Sequence, residues 1–142
     1  MKQDNESKQK YEKSISNLIW WFLSSYLISN SNVTILRLTS IVACLNFEDN
    51  FFDWIYLDAN HSRDSVYNEL QSYDAKVKSF FVGHDWLVGK KEGFGVNEAV
   101  IEFVLSKNYI FSGIKNESRF RTYVISKTIN DHEFLNNLIL KN

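Results

Sequence analysis

Three runs rich in β-branched and aromatic residues, joined by two short polar turns, constrain the fold of this chain more than any other feature. The runs are Ala99 to Leu105, Tyr109 to Ile114 and Phe120 to Ile125, and the turns contain Lys107-Asn108 and Asn116-Glu117-Ser118. Consecutive β-prone runs with short polar connections are typical of antiparallel strands that pair with their neighbours. The C-terminal half therefore predicts a β-meander.

Two more strands and a loop are predicted upstream of these runs. Val77 to Val82 predicts a strand, and Trp86 to Val88 predicts a shorter one. Gly89 to Gly95 contains three of the five glycines, so this segment predicts a mobile surface loop. The loop does not match the phosphate-binding motif, which requires Lys-Ser or Lys-Thr at its end.

Apolar spacing and capping residues predict three helices. Tyr11 to Ile28 predicts an amphipathic helix, because Ile15, Leu18, Ile19, Phe22, Leu23 and Tyr26 form one apolar stripe. Trp21 lies off that stripe. The capping residues Asn60-His61-Ser62 precede a second predicted helix that contains Val66, Leu70 and Tyr73. Asn130-Asp131 is predicted to cap a final helix.

The segment Val33 to Phe47 has two interpretations. Its Ile, Val, Thr and Leu content favours a long buried strand, which would form a hairpin with the β-prone run Phe52 to Leu57 across Glu48-Asp49-Asn50. Helical spacing of Ile35, Leu38, Val42 and Leu45 leaves a helix as the alternative.

The order of these elements predicts a single α+β domain from residue 11 to residue 142, after a disordered tail at residues 1–10. We expect a largely antiparallel sheet with the helices packed on one face. The chain has no proline, so no rigid linker divides it.

Composition excludes several classes of protein. Cys44 is the only cysteine, which excludes an intramolecular disulfide and a four-cysteine zinc site. The apolar segment Ile15 to Ile28 is too short and too polar to span a bilayer, so we expect a cytoplasmic protein without a membrane partner. A net charge of −1 and a pI near 6.3 argue against nucleic-acid binding.

Two groups of residues could carry chemistry, and neither is diagnostic. His84 and Asp85 could act as an oriented general base, but neighbouring residues on a strand point to opposite faces. Asp58, His61 and Asp64 could share a metal ion, but this spacing is equally typical of the start of a helix. We therefore predict no catalytic residue, no metal and no cofactor.

Acidic residues and aromatic residues alternate between Leu45 and Ala75. The acids there are Glu48, Asp49, Asp53, Asp58, Asp64, Glu69 and Asp74, against Arg63 as the single base. Aromatic residues are enriched among those that dominate binding energy. The predicted partner-binding residues are Trp21, Glu48, Asp49, Phe51, Asp53, Trp54 and Asp58.

These features predict a non-enzymatic protein-binding module. In size and in its acidic surface the chain resembles small bacterial immunity proteins and antitoxins. That resemblance implies an inhibitor whose partner is a basic enzyme or toxin, since an acidic surface attracts a basic cleft. A homodimer is compatible with the same surface.

The alternative function follows from the helical interpretation of Val33 to Leu45. The order of elements then resembles the cone-shaped folds related to nuclear transport factor 2. This resemblance implies an apolar pocket that binds or transforms a small molecule, with Asp53, Asp58 or His84 as acid–base groups at its mouth.

Overall fold

The computed structural model describes residues 33–87, 93–113 and 120–139. The predicted tail at residues 1–10 and the predicted helix Tyr11 to Ile28, with Trp21, lie outside these ranges, so both stay predictions.

The chain divides into two units, Met1–Leu38 and Thr39–Asn142. Residues 33–38 of the first unit form no helix or strand. All the elements described below belong to the second unit.

The described residues form five helices, one of them a short 3-10 helix, and four strands. In chain order they are α1 (Ser40–Cys44), β1 (Phe52–Leu57), α2 (Arg63–Tyr73), the 3-10 helix (Asp74–Lys76), β2 (Val77–Leu87), α3 (Val96–Lys107), β3 (Ile110–Gly113), β4 (Phe120–Ser126) and α4 (Ile129–Ile139). The strands form one sheet in the order β1-β2-β4-β3. The β1–β2 pairing is parallel and the other two are antiparallel, so the predicted α+β class with a largely antiparallel sheet is confirmed.

The parallel pairing of β1 with β2 corrects the predicted hairpin. Phe52 to Leu57 is a strand, but its partner is β2, which follows after the crossover helix α2. Parallel neighbours require such a crossover, because a tight turn can join only antiparallel strands. The carboxyl ends of β1 and β2 therefore lie side by side, with Leu57 opposite Gly83.

The hydrophobic core lies between one face of the sheet and the helices α2 and α3. Phe81 of β2 packs edge-on against Phe103 of α3, with ring centroids 5.5 Å apart. The other buried core residues are Cys44, Val66, Leu70, Tyr73, Val77, Val96, Ala99, Val100, Tyr123 and Ile125. Each large apolar side chain buried in this way contributes about 1.5–3 kcal/mol.

Helix α3 replaces the first strand of the predicted meander. The prediction of a strand at Ala99 to Leu105 was wrong, because Val96, Ala99, Val100 and Phe103 form the buried face of a helix. The remaining two runs form the antiparallel pair β3–β4, as predicted. Asn108 ends the helix in the left-handed conformation at φ 56°, which returns the chain towards the sheet.

Helix α4 packs on the opposite face of the sheet from α2 and α3. Phe134 of α4 stacks on Phe80, the neighbour of the core residue Phe81, and successive strand residues point to opposite faces. The helices therefore cover both faces of the sheet rather than one.

Thr128 caps α4: its hydroxyl accepts a hydrogen bond from the Asp131 amide, and the Asp131 carboxylate accepts one from the Thr128 amide. The prediction that Asn130-Asp131 caps the helix was wrong, because the helix already begins at Ile129 and both residues lie inside it.

The prediction of a strand at Val33 to Phe47 was wrong, and the helical alternative is correct only for five residues. The Thr39 hydroxyl accepts a hydrogen bond from the Val42 amide and so starts α1 at Ser40. Apart from Ala43 and Cys44, the apolar residues of this segment are not buried as a strand would require, and Leu45 is 82% exposed.

A partly buried ionic network ties the 3-10 helix to the sheet. The Asp74 carboxylate pairs with Lys107 at 2.8 Å and accepts a hydrogen bond from the Tyr109 hydroxyl at 2.9 Å. The Lys127 ammonium donates to the carbonyl oxygens of Asp74 and Val77, at 2.8 Å each. Burial alone would raise the pKa of Asp74, but the hydrogen bonds from Lys107 and Tyr109 and the charge of Lys127 together hold it below its ordinary value.

We expect Asp74→Asn to lower the free energy of unfolding by about 2 kcal/mol at pH 7, because it removes a charged hydrogen-bond acceptor from a partly buried network. A lowered pKa in the folded state contributes stability above the unfolded pKa, and this contribution is lost as the pH falls through the folded value. The gap between Asp74→Asn and the wild type should therefore narrow below a pH of about 4. Urea unfolding of both proteins between pH 2.5 and pH 7 measures this difference in the free energy of unfolding. Asp49→Asn, at an exposed pair with Lys76, should cost less than about 1 kcal/mol.

Candidate functional site

The carboxyl ends of the parallel strands β1 and β2 bring three ionisable side chains together. Asp58 directly follows β1, Asp85 lies near the end of β2, and His61 precedes the first turn of α2. Ligands of open α/β sheets commonly bind at this position, outside the carboxyl ends of parallel strands. We call Asp58, His61 and Asp85 the carboxylate–histidine cluster.

The cluster is compact enough for its three side chains to share one ligand. His61 Nε2 lies 2.7 Å from Asp85 Oδ2 and 3.8 Å from Asp58 Oδ1. One donor atom from each residue falls within 4.8 Å of the other two. The Asp85 side chain is largely buried, whereas those of Asp58 and His61 are partly open to solvent.

The Nε2 atom of His61 is enclosed and makes no hydrogen bond in the described part of the chain, although a carboxylate oxygen is close by. At 2.7 Å the imidazole and the Asp85 carboxylate form an ion pair when Nε2 carries a proton, and without that proton the two acceptor atoms require a cation between them. A buried polar atom without a partner costs free energy unless something else satisfies it. This atom points to a ligand between the imidazole and the carboxylates.

Packing fixes the imidazole of His61 in this orientation. Its ring stacks on Phe94, with centroids 4.7 Å apart and planes inclined by 28°. Its backbone carbonyl accepts a hydrogen bond of 2.9 Å from the amide of Gly95, which precedes α3. Both contacts come from residues next to α3, so the position of His61 depends on how α3 begins.

A β-bulge aims the side chain of Asp85. Gly83 pairs with Tyr123 and Trp86 pairs with Arg121, so two residues of β2 stand opposite one residue of β4. Asp85 has a φ of 64°, a left-handed conformation that aspartate tolerates better than most residues. The bulge also brings His84 Nδ1 to 3.4 Å from Asp85 Oδ1. The irregular backbone of the bulge thus lets the two neighbouring side chains meet, which a regular strand would prevent.

Asp58 and His61 of the cluster line a small cleft together with Glu69, His84 and Tyr123. Burial, and then the charge of Glu69, raises the pKa of Tyr123, so its hydroxyl keeps its proton. The cleft holds about 10 Å³ of free space, which suits one water molecule or ion. That volume is far below the 300–1,000 Å³ typical of small-molecule pockets, so this cleft does not supply the pocket that the alternative function needs.

The predicted partner-binding residues fall at two separate places. Phe51 and Trp54 are exposed at the start and middle of β1, and Trp21 lies outside the described residues. Asp49 and Asp53 are near them and pair with Lys76 and Lys78, at 2.7 Å each.

Asp58 belongs to the carboxylate–histidine cluster at the other end of β1. Asp58 lies five positions after Asp53 along the strand, which corresponds to about 17 Å. Glu48 is exposed on the turn before β1. The acids of this segment therefore do not form one surface.

Sequence reasoning grouped the wrong acid with Asp58 and His61. Asp64 is exposed and pairs with Arg63 at 2.7 Å, so it lies outside the cluster. Asp85 takes its place from a strand more than twenty residues later. The signal that could have found it is the parallel pairing of β1 with β2, which the predicted hairpin obscured.

No family model matches this chain, and a search of curated proteins finds no match. Among the described helices, none is long and apolar enough to cross a membrane. Function must therefore be argued from the surfaces and sites themselves.

Proposed function

We propose that this protein is a non-enzymatic binding module of the inhibitor type, like an immunity protein or antitoxin, and that β1 carries its binding surface. The observation that supports this most directly is the exposure of Trp54 and Tyr56, at 57% and 50%. They are two residues apart on one strand, so they present their rings on the same face. With the exposed Phe51 they form what we call the aromatic edge.

The position of β1 in the sheet adds a second argument. It is the edge strand, and in the ranges that the structure describes its only pairing partner is β2. An edge strand offers backbone groups to which a partner can add a strand, while neighbouring side chains give specificity. Large aromatic side chains on such an edge are the kind that dominate binding energy.

The charges around the aromatic edge favour a basic partner. Glu48, Asp49 and Asp53 are exposed next to it, and two of them pair with Lys76 and Lys78. Exposed ion pairs contribute little, so a basic group of the partner can displace either lysine at small cost. Acidic groups around an aromatic centre speed the approach of a basic protein.

The test is affinity capture with tagged protein from the lysate of its own organism, followed by binding measurements on the captured partner. We expect a stoichiometric complex that weakens as salt rises, and Trp54→Ala should weaken binding by at least about thirtyfold, as for a central aromatic contact. Leu105→Ala is the matched control, because Leu105 is an even more exposed apolar residue but lies on α3. The melting temperature should be nearly unchanged in both variants.

Charge reversal separates the electrostatic part of the proposal from the aromatic part. Asp49→Lys combined with Asp53→Lys should abolish binding while the fold survives, because both carboxylates are exposed. A partner that binds Trp54→Ala as tightly as the wild type, or that tolerates the charge reversal, would contradict a binding role for β1.

A further inference from the structure

We propose that Asp58, His61 and Asp85 bind one divalent transition-metal ion, of which Zn²⁺ is the best match. The site lies at the carboxyl ends of β1 and β2, whereas the aromatic edge lies along the outer side of β1. The proposal is therefore independent of the binding role proposed above.

The distances fit a shared ion. A tetrahedral zinc site with bonds of about 2.1 Å places its donor atoms about 3.4 Å apart. The observed separations of His61 Nε2 from Asp85 Oδ2 and Asp58 Oδ1 are 2.7 and 3.8 Å, on either side of that value. All three donor atoms lie within 4.8 Å of one another.

The enclosed Nε2 atom of His61 supplies independent support. The stacked ring of Phe94 holds this atom facing the two carboxylates, and in the tautomer with its proton on Nδ1 the imidazole offers the Nε2 lone pair to a cation. Arg63, the nearest basic residue in sequence, is held by Asp64 and Glu102 instead. A bound cation would satisfy the imidazole and compensate both carboxylates at once.

The surroundings fit the second layer of a metal site. Ligating carboxylates are usually oriented by a further hydrogen-bonding group, and His84 Nδ1 lies 3.4 Å from the Asp85 oxygen that does not face His61. The cleft beside the cluster has about the volume of one water molecule, which could complete four-coordination.

The donor set predicts which metals bind. One imidazole with two carboxylates favours first-row transition ions over Mg²⁺ and Ca²⁺, which prefer all-oxygen sites. For such a set we expect Zn²⁺ to bind more tightly than Mn²⁺, and Mn²⁺ more tightly than Mg²⁺.

Calorimetric titration of the full chain, purified without a histidine tag and treated with chelator, tests this site. We expect one equivalent of Zn²⁺ to bind the wild type. His61→Gln and Asp85→Asn should weaken this binding at least about tenfold. Asparagine also tolerates the left-handed conformation at position 85. Asp64→Asn is the matched control, because Asp64 is acidic and near in sequence but lies outside the cluster.

Two further readouts distinguish a site from loose surface binding. Zn²⁺ should raise the melting temperature of the wild type and of Asp64→Asn but not of His61→Gln, since only a specific site stabilises the fold. Co²⁺ should give the visible absorption of a four-coordinate ion in the wild type alone. Absence of Zn²⁺ binding by the wild type, or equal binding by His61→Gln, overturns the proposal.

Discussion

Gly83→Ala is expected to lower the free energy of unfolding by about 3 kcal/mol, although it adds one methyl group. A Cβ at this position would lie 2.3 Å from both Cζ and the hydroxyl oxygen of Tyr123, which stands opposite it on β4. The Tyr123 ring is 1% exposed and cannot swing away into solvent. Gly83 thus provides the space that a tyrosine lying across the sheet requires, an arrangement known to stabilise glycines in strands.

Urea unfolding of two further variants shows whether the ring is the cause. In a Tyr123→Leu background, Gly83→Ala should cost at least about 1 kcal/mol less, because the shorter side chain does not reach the added methyl group. Gly113→Ala is the matched control on β3: its Cβ would approach only Phe111, at an ordinary 3.8 Å, and should change stability by less than about 1 kcal/mol. Equal losses in the Tyr123→Leu and wild-type backgrounds would exclude the ring as the cause.

Local patterns predicted the elements whose residue types and spacing agree. Helix α2 and strand β4 were found because apolar spacing, caps and β-prone composition indicated the same element. Residues 96–107 were misjudged because their content is β-branched and aromatic while their spacing is helical, with Val96, Ala99, Val100 and Phe103 three or four residues apart. Spacing decides in such cases, because burial against α2 and the sheet outweighs the small intrinsic preference of valine and phenylalanine.

The segment before β1 shows where a local pattern fails for another reason. Residues 33–47 have the composition of a buried strand, but the sheet ends at β1 and no described strand lies beyond it. The composition of a segment indicates that its side chains would suit a strand, but it does not show whether a neighbouring strand is available to pair with it.

The carboxylate–histidine cluster depends on two features that a single sequence does not reveal. One is the parallel pairing of β1 with β2, which places Asp58 beside the end of β2. The other is the bulge between Gly83 and Trp86, which turns Asp85 towards His61. Strand alternation would have placed Asp85 differently relative to His84, so the rule failed at a residue of the proposed metal site.

Gly95→Ala is expected to lower the free energy of unfolding by at least about 3 kcal/mol and to disturb the cluster as well. A Cβ at Gly95 would lie 2.4 Å from Cβ and 2.5 Å from the backbone nitrogen of Arg63, in the first turn of α2. The φ of −121° is accessible to alanine, so the cost arises from packing and not from backbone strain. Separating the two helix starts would also break the hydrogen bond from Gly95 to the His61 carbonyl and release the imidazole.

Because the clash involves backbone, no side-chain truncation should relieve it. Arg63→Gly should fail to rescue Gly95→Ala, in contrast to the rescue expected between Tyr123→Leu and Gly83→Ala. Gly93→Ala is the control for glycine replacement: its Cβ would meet no atom of the described residues within 4 Å, and its φ of 74° should cost about 1 kcal/mol of strain. If Gly95→Ala lost no more stability than Gly93→Ala in urea unfolding, the close approach of α2 and α3 would not hold His61 in place.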